Sequence, residues 1–403
     1  MSNLLRNDHN VYILGAGFSR EAGLPLISDF LSQMRDAYDW LVQQSREREA
    51  NAVNEVLKFR LEAASAAYWV HLDLENIEEL FSLAFANTDG IAASMRLAIA
   101  ATLDYASKIR GANRCQINVR NSTALFSPRI NRWPAWVRQT PTQAHIDGFG
   151  SYETGMYSLH LARLLGMLKD GKPQGQNSFI TFNYDTLLED SLDELHLPMT
   201  YGTKIANRPP LAMPPSVETI EIKSVHPLKV NPNLFDTIPV YKLHGSVNWT
   251  RSKEGINVLR SYGELAKMNS MPELVPPTWK KVFESTIESV WEEAIDKLST
   301  ATRIIIIGFS MPPTDMHFKY LLAAGLKKNI SLRQVLFVNP DANNELEQRV
   351  RHMLRQTYVE SGRIAFIKQQ LGQFTALAPS SEMGLHMLGR ATEYGLSYDL
   401  FRQ

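Results

Sequence analysis

The stretch "VYILGAGFSREAGLPLISDF", residues 11–30, runs an apolar segment straight into Gly15-Ala16-Gly17. Glycines there let the backbone turn tightly and leave room for a phosphate to approach the main chain. Amides at the start of a following helix would face that phosphate. Taken alone, the same turn also fits a plain join between strand and helix. The dinucleotide fingerprint Gly-x-Gly-x-x-Gly needs a third glycine at position 20, where this chain has Arg20, and no strand with an acidic end follows about 20 residues later. A hydride-transfer site therefore fits poorly. Farther on, "FNYD", residues 182–185, offers Asn183, a neutral side chain that both donates and accepts hydrogen bonds. "LHGS", residues 243–246, offers His244, whose ordinary pKa of about 6.5 suits a general base at neutral pH.

Each of these turns follows a short run rich in β-branched residues. Val11 to Leu14, Phe179 to Phe182, Val240 to Leu243, Ile304 to Ile307 and Val335 to Val338 read as buried parallel strands. Arg363 to Lys368 is a sixth candidate. Between the first two strands, "NEVLKFRLEAASAAYWV", "LENIEELFSLAF" and "SLHLARLLGMLKD" repeat apolar residues at helical spacing, with Asn76 placed to cap the second. That stretch is too long for one crossover and reads as an insertion. The expected architecture is α/β, a Rossmann-like doubly wound parallel sheet with a large helical insertion and its ligand at the carboxyl ends of the strands. Residues 1–40 and 171–370 would form the discontinuous Rossmann-like domain, 41–170 the helical insertion, and 371–403 a C-terminal helical segment.

Composition narrows the function classes. Basic and acidic side chains balance at 42 each, so no global field favours nucleic acid, and direct nucleic-acid binding is not indicated. The single cysteine, Cys115, excludes internal disulfides and a Cys-x-x-Cys zinc site and reads as a small packed hydrophobe. His71, His145, His160, His226, His317 and His352 show no metal-ligand spacing, so no metal is expected. No apolar run approaches the roughly 20 residues of a membrane span, and the polar start lacks a signal peptide's apolar core. A cytoplasmic location is expected.

"GAGFSREAGLP" resembles the nucleotide-binding turn of the sirtuin family, "FNYD" is similar to its Gln-Asn-x-Asp, and "LHGS" to its catalytic His-Gly. "GFSMPPTD", residues 308–315, and "VNPD", residues 338–341, stand in order where that family has its later Gly-x-Ser and adenosine-side turns. The resemblance covers residues 11–31 and about 178–341. It departs in two respects. The four-cysteine zinc module of protein-deacylating sirtuins is impossible with one cysteine, and Asp29-Phe30 is separated from Pro25 by three residues and is followed by Leu31 instead of arginine. "ITFNYDTLLE", "KLHGSVNW" and "GFSMPPTD" look more like the sirtuin-like bacterial antiphage proteins, whose branch implies NAD+ hydrolysis. A chain of this length resembles the sirtuin-like subunit that works beside a HerA-type ring ATPase.

That resemblance implies NAD+ as substrate, with Asn183 and His244 catalytic and Asp185 on the nicotinamide amide. Gly15, Ala16, Gly17, Phe18, Ser19, Gly23, Leu24 and Pro25 would surround the nucleotide, with Gly308, Phe309, Ser310 and Asn339 on its phosphate and adenosine side. It also implies regulation within an assembly, a homo-oligomer with a ring ATPase as candidate partner. Purely structural readings stand beside these. Asp185 fits a turn before a capping box of Thr186 and Glu189, Thr314-Asp315 fits a helix cap, and Trp249 and "PPTW", residues 276–279, read as packing. A non-catalytic NAD or ADP-ribose sensor and a sirtuin-type deacylase or ADP-ribosyltransferase are the alternative functions.

Overall fold

A computed structural model of the protein describes residues 8–67, 69–70, 72–86, 90–110, 152–167, 172–209, 236–253, 255–275, 285–311, 316–341 and 343–377. In chain order its strands are β1 (His9–Leu14), β2 (Gln176–Thr181), β3 (Met199–Thr200), β4 (Ile238–Lys242), β5 (Gly245–Ser246), β6 (Trp249–Ser252), β7 (Gly255–Val258), β8 (Glu273–Leu274), β9 (Arg303–Ile307), β10 (Gln334–Val338) and β11 (Ile364–Ile367). Seven form one parallel sheet in the order β11-β10-β9-β1-β2-β4-β3, while β5 with β8 and β6 with β7 make short antiparallel ribbons. From β1 the chain builds outward on one side through β2, and it later returns to the other side at β9. That is the doubly wound arrangement expected from the sequence, with its switch point beside β1.

The helices are α1 (Phe30–Gln43), α2 (Glu47–Ala67), α3 (Ile77–Ala86), α4 (Ile91–Tyr105), α5 (Tyr152–Leu164), α6 (Leu187–Glu194), α7 (Tyr262–Lys267), α8 (Ser285–Thr300), α9 (Met316–Leu326), α10 (Glu345–Met353), α11 (Gln356–Glu360) and α12 (Leu371–Leu377). Asn76 caps α3 as expected, its Oδ1 accepting from the amide of Glu78 at 2.9 Å. Helices α1, α2 and α4 pack on one another, α5 lies against α6 and α12, and α8 packs on α9. None of the described helices is long and apolar enough to cross a membrane.

Strand limits differ from the apolar runs where polar residues find partners. β1 starts at His9 because that residue is satisfied inside the protein. Its amide donates to Thr302 Oγ1, and its ring nitrogens meet Thr300 Oγ1 and Ser178 Oγ, each at 3.0 Å. β2 and β4 stop one residue short of their expected ends, leaving Phe182 and Leu243 to the turns. The edge strand β3 was not expected, because two residues carry no periodicity. Cys115, "PPTW", Thr314-Asp315 and residues 378–403 lie outside the described residues.

His160 sits in the seam between α5 and α12, with Nδ1 2.6 Å from Thr375 Oγ1. Burial, helped by the charge of Arg163, pushes its pKa down to about 3. Its Nε2 lies 3.9 Å from Glu21 Oε2; a neutral ring makes that approach a polar contact, not an ion pair. An unfolded histidine titrates at about 6.5, so the unfolded chain binds the extra proton as pH falls from there towards 3. Folding stability must therefore fall below pH 6.5, at up to ~1.4 kcal/mol per pH unit for this group. Urea unfolding of wild type and His160→Asn between pH 7 and 5 checks this. The wild type should lose ~1–2 kcal/mol more than the variant over that range, and parallel pH slopes would refute the assignment.

Candidate functional site

Sheet register brings the motifs to one level. Leu14 pairs with Thr181 and with Ile307, Thr181 with Lys242, and Ile307 with Val338. The residues that follow these strand ends, Gly15, Phe182-Asn183, Leu243-His244, Gly308 and Asn339, therefore leave the sheet together at its carboxyl edge, on both sides of the switch point.

The turn after β1 is held by main chain. Gly15 N donates to Ile307 O at 3.0 Å, Gly17 N to Gly308 O at 2.8 Å, and Phe18 N to Gly15 O at 2.9 Å. A Cβ on Gly17 would stand 2.7 Å from Gly308 Cα, and one on Gly308, whose φ is +65°, would stand 2.1 Å from Phe18 N. The glycines are thus required where the two turns cross. Residues Ala16–Ala22 form a 3-10 turn, and the first α-helix begins only at Phe30. The helix that follows the turn is thus a 3-10 segment and not an α-helix, and the amides of Gly15, Gly17 and Phe18 have partners within the protein.

Asn183 and Asp185 meet on Ser19. The Nδ2 of Asn183 donates to Gly15 O at 2.9 Å and to Ser19 Oγ at 3.2 Å, and the Ser19 hydroxyl donates to Asp185 Oδ2 at 3.0 Å. With both amide hydrogens engaged, Asn183 keeps its carbonyl oxygen, to which none of the described residues donates. The other carboxylate oxygen of Asp185 accepts from Leu187 N at 3.0 Å. Asp185 therefore caps the start of α6, and the expected Thr186–Glu189 capping box does not form. Instead Thr186 Oγ1 bonds Asp190, while Glu189 is fully buried against Lys242 Nζ at 2.8 Å. Burial raises the pKa of Asp185 above the ordinary carboxylate range, Lys242, Leu187 N and Ser19 oppose that rise, and the charge of Glu189 adds to it.

His244 is 4% exposed, with its ring edge-on to Phe182 at 5.2 Å and 6.1 Å from the ring of Tyr184. Phe182 continues into a wall of Phe309, Phe318 and Trp291, and Trp291 Nε1 donates to Leu243 O at 3.0 Å. Asn339 Nδ2 donates to Phe309 O at 3.3 Å, tying the turn after β10 to the turn after β9. Ser310 is exposed, with its carbonyl accepting from Arg349 at 2.8 Å.

The structure thus gathers Gly15, Ala16, Gly17, Ser19, Asn183, Asp185, Gly308, Phe309 and Asn339 in one region, with His244 on the neighbouring strand end. Phe18, Leu24 and Pro25 are buried in packing behind the loop, and Gly23 closes the 3-10 turn at φ +88°. Trp249 is fully buried and packs edge-on against Tyr201 at 5.0 Å, as a packing residue should.

Sequence reasoning missed three supports. Tyr157 of α5 donates to Phe18 O at 2.7 Å and accepts from Ala22 N at 3.2 Å, so the insertion's last helix clamps the glycine turn. Arg20, which stands where the fingerprint wants glycine, pairs with Asp29 at 2.5 Å. Burial alone would raise the carboxyl of Asp29, but hydrogen bonds from Arg20, Gln33 and the Leu26 amide outweigh it and hold it below the usual range. A charged lysine at the end of an apolar strand was the one visible signal for Lys242. Among the described residues no group of three or more His, Cys, Asp and Glu could hold a metal ion.

Replacing Gly308 with alanine should cost roughly 2–5 kcal/mol, from left-handed backbone strain plus overlap with Phe18 N. Gly90→Ala is the control. Its φ of +79° is also left-handed, but nothing lies within 4 Å of the new Cβ, so only about 1 kcal/mol of strain should appear. Urea midpoints of the two variants compare them directly. Equal losses would show that the crossing of the turns is slack.

Structures similar to this chain include a Sir2 homologue mutant bound to 2'-O-acetyl-ADP-ribose, at 13% identity and TM-score 0.36, covering 99% of this chain and 97% of that one. Sir2Tm bound to a propionylated peptide is similar at 12% identity and TM-score 0.32, covering 96% of this chain and 92% of that one. A Sir2 homologue mutant bound to ADP-ribose gives 13% and 0.34, covering 98% and 96%. No curated protein matches the chain in sequence. Residues 177–360, which carry Asn183, Asp185, His244, Gly308 and Asn339 but not the first glycine turn, match the SIR2-like domain family.

Proposed function

We propose that the protein is an NAD+ glycohydrolase that cuts NAD+ to nicotinamide and ADP-ribose, acting in bacterial antiphage defence as part of a regulated complex. The observation that carries this reading is the Asn183–Ser19–Asp185 network at the switch point, with the acceptor of Asn183 left for a ligand. The match of residues 177–360 to the SIR2-like domain family supports it.

The chemistry suits a site without paired carboxylates. When the bond from ribose C1' to the pyridinium nitrogen breaks, its electron pair goes to the ring, and nicotinamide leaves neutral with no acid needed to protonate it. The oxocarbenium-like ribose then takes the oxygen of water, and one proton departs. Asn183 Oδ1 is a neutral acceptor suited to a ribose hydroxyl or to that water, and His244 is the candidate base for the proton. Asp185 would hold the nicotinamide amide. The aromatic wall around Phe182 would exclude bulk solvent from the reacting centre.

An enzyme that consumes NAD+ without restraint depletes its own cell, so restraint by self-assembly or by a HerA-type ring ATPase belongs to the proposal. The test follows NAD+ by chromatography with the purified protein, alone and with a candidate ATPase. Nicotinamide release is expected in at least one assembly, and NAD+ left intact in all of them would overturn the reading. Asn183→Ala and His244→Ala should each slow release by about 10²–10⁴-fold without moving the thermal midpoint by more than a few degrees. Calorimetric binding of NAD+ without release would instead identify a sensor.

A further inference from the structure

We infer that Lys242 is a positioning residue for this site: paired with Glu189 beneath the turn, its ammonium holds the main chain of Asp185 in place. The inference rests on the reading of Asp185 as the residue that meets the nicotinamide end of NAD+. Its test separates the two.

Lys242 is the last residue of β4 and is completely enclosed, as is Glu189 on α6. The ammonium reaches two oxygens, the carboxylate of Glu189 and the main-chain carbonyl of Asp185. Tyr201 donates to the same oxygen of Glu189 at 3.2 Å. A buried pair of this kind stabilises a fold poorly, because removing two charges from water costs about as much as their attraction returns. A methionine–leucine pair would fill similar space with no charge to desolvate. The charged pair instead ties together the end of β4, which leads to His244, and the start of α6, which carries Asp185. The same three bonds fix the peptide whose side chain accepts from Ser19 and, through Ser19, sets Asn183.

A geometric brace made of charge has an electrostatic signature that a packing residue lacks. The groups facing the carboxyl of Asp185 are Lys242 from β4, Glu189 from α6, the Ser19 hydroxyl and the Leu187 amide. Arg208 stands behind them, beside Glu189 and Tyr201. Lys242 favours the ionised form of Asp185, and Glu189 disfavours it.

The experiment titrates Asp185 in the full-length protein by carboxyl-carbon NMR, its resonance identified by loss in Asp185→Asn. Lys242→Met should raise its pKa by ~1 pH unit or more, and Glu189→Gln should lower it. Lys242→Met/Glu189→Gln removes both members of the buried pair together and serves if the single methionine variant does not fold; it should shift Asp185 upward, by less than Lys242→Met. Where nicotinamide release is measurable, the acid limb of kcat/KM should move in the same opposite directions. Shifts of one sign in both single variants, or none, would overturn the inference. The NMR result stands whether or not NAD+ is hydrolysed, so failure of the proposed function leaves this test intact.

Discussion

Main chain lies against main chain where the turns after β1 and β9 cross, and the site is built on that contact. Gly17 and Gly308 approach so closely that neither position has space for a Cβ, and one hydrogen bond joins them directly. Side chains then hang from the crossing: Asn183 is anchored on Gly15 O, and Asn339 on Phe309 O. Because the anchors are backbone atoms fixed by a parallel sheet, the polar groups take their positions from the register of β1 with its neighbours, not from side-chain packing around them.

The second level is electrostatic. Lys242 and Glu189 lie in a region where water cannot screen them, and their energy depends on geometry more steeply than any surface pair. Around them Tyr201, Arg208 and Asp190 complete a chain of contacts from the sheet to α6. The Arg20–Asp29 pair, partly open to solvent, shapes the far side of the glycine turn with less force. Buried charge and backbone crossing thus hold the site from opposite sides.

Much of this was legible in the sequence, for identifiable reasons. Five β-branched runs gave the central strands, because strands buried on both faces must be apolar throughout. The turns that follow them gave Asn183, Asp185, His244 and Gly308. Bond partners were not legible. Nothing in "FNYDTLLE" tells whether Glu189 turns back to cap its helix or inward to meet a lysine more than fifty residues away, and only the fold decides. Likewise the glycines at 15 and 17 announce a close approach without naming what approaches, which proved to be Gly308. Tyr157 was hidden for a similar reason, since a tyrosine on an amphipathic helix carries no mark of its target.

That tyrosine changes how the insertion should be regarded. Its hydroxyl is the partner of both Phe18 O and Ala22 N, two backbone groups inside the glycine turn, and the next helical turn carries His160 towards Glu21 and α12. Excising the helices between β1 and β2 would therefore strip hydrogen bonds from the turn itself. The insertion is a structural member of the frame that holds these turns, comparable to a keystone, and not a detachable accessory that could be lost or exchanged while the sheet kept their arrangement.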